Sequence, residues 1–176
     1  HLSIRRQRQM CIRDRLYTGM YQMNHRVVAN GTPLDASFDN VALMARRAGY
    51  APALFGYTDQ SIDPRVTTNA EDPRLSTYEG VLPGFDCMVD LTQNFDPWRT
   101  WLHAQGFNTD MSIVKLLSTE NERPSSASAS TFLTNELLSW IDKQEQGWFA
   151  HASFIRPHPP YSAAGDFSTM YDPAEV

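Results

Sequence analysis

Arg156-Pro157-His158-Pro159-Pro160-Tyr161 sets one histidine among prolines. Proline locks its own backbone dihedral, so this imidazole is not on a floppy surface segment. Its switch between neutral and charged forms near neutral pH suits proton transfer. A turn histidine capped by a backbone carbonyl has the same surroundings, and residue chemistry alone weighs the two equally. Gly56-Tyr57-Thr58-Asp59 follows an apolar run, but an aromatic and an acid at such a place are more often structural than catalytic. Asn30 stands in Asn30-Gly31-Thr32-Pro33, a turn by its own chemistry. Cys11 raises the question of a nucleophile. With Cys87 it makes no C-x-x-C pattern and no disulfide framework.

Regular elements must hold these residues. "SFDNVALMARRAGY" predicts a helix with Phe38, Val41, Met44, Ala45 and Ala48 on one face, Ser37 as N-cap and Gly49 past its end. "APALFGY" predicts a buried strand running into the polar turn "TDQSIDP". Residues 62–94, rich in prolines and turn residues, read as loops and an excursion. "FDPWRTWLHAQGF" predicts a short helix burying Trp98, Trp101 and Leu102, and "ERPSSASAS" a polar loop. "TFLTNELLSWIDKQEQG" brings Leu133, Leu137, Trp140 and Ile141 into helical phase. "WFAHASFI" predicts a second strand, stopped by the prolines that flank His158. Helix, glycine, strand and polar loop in alternation mean an α/β protein. In such sheets ligand sites collect at the carboxyl ends of strands, where Tyr57, Asp59 and His158 all fall.

The 176 residues are enough for one domain with a real core. No run of about 18 apolar residues suggests a membrane span, and no apolar segment follows the basic start as in a signal peptide. The compartment stays open. Residues 1–15 hold five arginines and one acid, whereas from Leu16 onward 10 bases face 19 acids, about −9. A basic arm usually points to nucleic acid or anionic lipid. Here the run from Arg5 to Asp14 is instead, codon for codon, one reading frame of a transposon-end adapter used in sequencing libraries. Residues 1–15 are therefore expected to be a scar outside the fold, and Cys11 to be no nucleophile. Without the arm, the acidic body excludes a nucleic-acid partner.

"LYTGMYQMNHRVVANGTPLD", "MARRAGYAPALFGYTDQSIDPR" and "WFAHASFIRPHPPYSAAGDFSTMYDPAEV" resemble successive blocks of the sulfatase family, in the alkaline phosphatase superfamily. The likeness is to its phosphonate monoester hydrolase and arylsulfatase branch and runs from Leu16 to Val176. It implies a partial α/β/α sandwich around a mainly parallel sheet, incomplete at both ends. It also implies a hydrolase of small sulfate, phosphate or phosphonate esters, with no membrane partner and an assembly of identical copies in the parent protein. The family nucleophile is a Cys or Ser oxidised to formylglycine within C-x-[PA]-[SA]-R. Cys11 and Arg15 mimic that spacing, but Ile12-Arg13-Asp14 does not match it and the register to Tyr17 is wrong.

The resemblance also implies a divalent metal, Ca or Mn, in the intact parent, with its ligand pairs outside this sequence. "GYTD" stands where many sulfatases read "GKWH". Tyr57 thus takes the lysine's position, and tyrosine is usual there in the phosphonate branch. Asp59 takes the histidine's, where that branch often has threonine, and an anion beside an anionic ester repels it unless protonated or paired. His158 matches the histidine that faces the leaving group and donates a proton to it. Asn30 matches an asparagine of the same pocket. The second reading is a sulfatase-fold binding or structural module without chemistry.

Overall fold

The computed structural model describes residues 12–29, 31–77, 79–145, 147–172 and 174. Its centre is a three-stranded parallel sheet in the order β2-β1-β3, with β1 at Pro52–Gly56, β2 at Asp86–Asp90 and β3 at Phe149–Ala152. Every residue of β1 is buried, as a central parallel strand requires. Its side chains alternate. Ala53 and Phe55 enter a core with Val89, Trp98, Leu102, Leu116, Phe132 and Leu133, while Leu54 enters a second with Tyr17, Val27, Leu34, Ala42, Leu82 and Phe85. The first core is closed by α4 (Asp96–Ala104), α5 (Ile113–Ser118) and α6 (Ala129–Ile141). The other face carries α1 (residues 12–18), the single turn α2 (Gln22–His25) and α3 (Val41–Arg47). The expected α/β/α sandwich is therefore present.

Two expectations need correction. The helix after residue 37 starts at Val41, because Asn40 rather than Ser37 caps it. Asn40 Oδ1 accepts from the amides of Ala42 and Leu43 at 2.9 and 3.0 Å, while Ser37 is taken up by Asp35, whose carboxylate accepts from its amide and hydroxyl. Its buried residues are Ala42 and Ala45, and Met44, expected on the same face, is exposed. Gly49, at φ +90°, ends it as expected, with Tyr50 N donating to Ala45 O. The second correction is β2, inside the stretch read as loops. Only Val89 of its five residues is buried, and its pairing with β1 slips between Leu54 and Phe55. Phe85, Cys87, Val89 and Leu91 recur at period two, but this short run sits among turn residues.

Candidate active site

Because β1 and β3 are parallel neighbours, the chain leaves both at one edge of the sheet. Tyr57-Thr58-Asp59 emerges from β1 there and Ser153 to His158 from β3. Gly56 makes the close approach of these exits feasible: at φ +111°, a Cβ on it would lie 2.6 Å from Ser153 O. Ser153 N donates to Phe55 O at 2.8 Å, and Leu91 N to Gly56 O at 3.1 Å, so all three strand exits are tied together. Thr58, fully buried, donates from its amide and its hydroxyl to Gly80 O and accepts from Leu82 N at 2.8 Å. The strand end therefore cannot drift.

Tyr57 is itself nearly buried, edge-on to Phe95, and burial pushes its phenol up to about 12. Asp59 lies in the left-handed region at φ 64°. Burial raises its carboxyl above the usual range, while the charges of Arg13 and of His158 oppose the rise. Arg13 stands 2.9 Å from the Asp59 carboxylate, with its guanidinium over the Tyr57 ring. The acid expected to repel an anionic ester thus has a cation beside it. His158 is exposed, in a turn closed by its own amide donating to Ile155 O at 2.8 Å. Its Nδ1 lies 2.7 Å from Pro159 O. A carbonyl only accepts, so Nδ1 carries hydrogen and Nε2 is the nitrogen free to face a ligand. The carbonyl-capped turn and the outward-facing ring are both present.

A hollow of about 510 Å³ opens beside His158, lined by Ser118, Asn121, Arg156, Tyr161 and Ser162 among others. Neither Tyr57 nor Asp59 lines it. The sheet thus brings Tyr57, Asp59 and His158 to one edge, without enclosing them in a single cavity. Asn30 and Cys11 lie outside the described residues.

Residues 12–15 were expected to stay outside the fold, yet Arg13 and Asp14 pack against it. Asp14 has no exposed surface. Neither of its carboxylate oxygens has a partner in hydrogen-bond geometry, nor does the neighbouring Gln60 Oε1, and Arg13 Nη1 meets Asp59 at ion-pair distance only. Burial accordingly lifts Asp14 to about 6, with Gln60 offsetting part of the rise. Packing against the body thus continues N-terminal to the boundary placed after residue 15, but with its polar atoms unmatched. Tyr17, in the next turn, is well fitted by contrast: its hydroxyl meets His151 Nε2 at 3.1 Å.

No sequence signal announced the pair behind the His158 turn. Arg156 is mostly buried against Glu120, whose side chain is 2% exposed, 36 residues away. As for a metal, the described residues contain no group of three His, Cys, Asp or Glu side chains able to hold one. Asp59 already has the Arg13 guanidinium at 2.9 Å, a poor neighbour for a cation ligand. The described residues do not fit the metal that the resemblance implied.

Comparison with known proteins gives a consistent result. The "Sulfatase" family model matches residues 11–174. The multifunctional alkaline phosphatase superfamily protein PehA of Trinickia caryophylli is 34% identical over 172 residues, covering 90% of this chain and 33% of that protein. Among solved structures, the phosphonate monoester hydrolase of Agrobacterium radiobacter superposes with a TM-score of 0.83 at 42% identity, over 94% of this chain and 34% of its own. The phosphonate monoester hydrolase SpPMH of Silicibacter pomeroyi gives 0.82 at 38% identity, over 94% and 35%. The chain spans about a third of the length of these relatives. It belongs to the sulfatase family of hydrolases, within the alkaline phosphatase superfamily.

Proposed function

We propose that residues 16–176 are the leaving-group side of a catalytic domain that hydrolyses phosphonate, phosphate or sulfate monoesters. The observation that supports this best is the delivery of Tyr57, Asp59 and His158 to one edge by parallel β1 and β3. The similarity to two phosphonate monoester hydrolases favours phosphonate esters within that class. In this reading His158, protonated at both nitrogens, gives the Nε2 proton to the departing oxygen while Pro159 O holds the Nδ1 hydrogen. Loss of that proton returns the ring to its Nδ1–H form. Tyr57 walls the ester-binding side, and Asp59 approaches an anion only while its charge is paired. A pocket role for Asn30 rests on the resemblance alone.

The intact parent carries a formylglycine nucleophile and a divalent metal, which would stabilise the charge developing on the ester oxygens. In this reading residues 1–15 stand in place of the nucleophile segment, and the adapter-like run from Arg5 to Asp14 is what supports it. The chain as it stands is then silent towards aryl sulfates and phosphonate monoesters, with or without Mn²⁺ or Ca²⁺. Restoring C-x-[PA]-[SA]-R and the rest of the parent sequence should bring turnover back. Metal-dependent turnover of the present chain that survives Cys11→Ala would refute this. A restored protein that binds esters without hydrolysing them would establish the binding-module reading instead.

A further inference from the structure

Arg156 follows β3 and precedes His158 by two residues, yet its side chain turns back towards the first core. It spends all five of its N–H donors. Nε and Nη2 both reach Glu120 Oε2, the former at 2.8 Å, and Nη2 also donates to Leu117 O at 2.7 Å. Nη1 donates to His158 O at 3.2 Å and to Pro160 O at 2.5 Å. Glu120 is fixed in turn, because its Oε1 accepts from the amide of Ala129, the first residue of α6. One rigid planar fork therefore joins the ends of α5 and α6 to the two carbonyls that bracket the histidine turn.

We infer that Arg156 and Glu120 are positioning residues, acting through backbone carbonyls to hold the His158 ring in one orientation with Nε2 outward. A guanidinium that only stapled α5 and α6 to the sheet would need Glu120 and Leu117 alone. The two bonds to residues 158 and 160 give it a reach that stapling does not require. The inference rests on the reading of His158 as the proton donor, but the two are tested separately.

The test is nuclear magnetic resonance on the full chain with labelled histidine and arginine, at pH 8.5, where an ordinary imidazole is neutral. The wild-type His158 ring should show a single Nδ1–H tautomer. Arg156→Lys keeps a positive charge against Glu120 but offers three donors from one point, too few to bridge the same five contacts. Its expected result is a His158 ring averaging between tautomers, with the resonances of β1 and β3 in place. A folded Arg156→Lys protein whose His158 ring is unchanged would overturn the inference. Should that variant not fold, the wild type decides. Its Nη protons should be separately resolved and show couplings across hydrogen bonds to the carbonyls of residues 158 and 160, whereas one averaged Nη signal would overturn the inference. If the tautomer is lost in Arg156→Lys, but His158→Ala in the catalytically complete protein costs the same for every leaving group, positioning stands and the proton-donor reading fails.

Discussion

Asp14 is buried beside Gln60 with neither oxygen in good hydrogen-bond geometry, and burial raises its carboxyl from 3.8 to about 6. A raised carboxylate pKa means that the folded state holds a proton the unfolded chain has already released. Stability therefore falls as pH rises from about 4 to about 6, then levels off. The lost stability at neutral pH is at most about 3 kcal/mol, from roughly 1.4 kcal/mol per unit. Asp14→Asn should remove this slope and raise the thermal midpoint at pH 7 but not at pH 4. Melting curves of both proteins across that range check it, and an unaltered slope would show that Asp14 is solvated. The motive for suspecting residue 14 was legible in the sequence as a codon pattern. Its burial was not, because no periodicity pointed an isolated aspartate inward.

Caps and edges decide which elements the sequence reveals. Ser37 and Asn40 are both good cap residues, and local pattern alone did not choose between them. Asn40 wins because its side chain also donates to Pro83 O at 3.1 Å, tying α3 to a loop 43 residues away. Asn40→Ala should cost about 1–2 kcal/mol in urea denaturation, the usual worth of such a cap. Asn40→Asp, which keeps the acceptor, should cost less. An equal loss would place the stabilisation in the Pro83 bond instead. β1 and β3 were legible because their apolar runs end in polar turns, and α4 and α6 because their buried residues recur at helical spacing. β2 was not, because its alternating Phe85, Cys87, Val89 and Leu91 form a short run among prolines and turn residues. The site followed the same rule. Tyr57, Asp59 and His158 were found as the residues that follow strands, while Glu120 reaches Arg156 only through tertiary packing.

At the scale of the molecule, two cores sandwich the sheet, and residues 12–15 contact its carboxyl edge through a mismatched polar cluster. Removing residues 1–15 takes away the Arg13–Asp59 pair together with the burden of Asp14. The expected change in stability is within about 0.5 kcal/mol or towards greater stability. A loss of several kcal/mol in denaturant titration would show that this segment supports the fold. The central claim is that the edge formed by β1 and β3 presents His158 to a departing ester oxygen. Its most direct measurement is the leaving-group dependence of His158→Ala in the catalytically complete protein. Turnover of an alkyl ester, whose alkoxide needs a proton, should fall by roughly 10²–10⁴-fold. Turnover of a nitrophenyl ester, whose phenolate leaves unaided, should fall far less. Equal losses on both esters, or a collapse of the thermal midpoint with little change in rate, would contradict the account and leave His158 a structural turn residue.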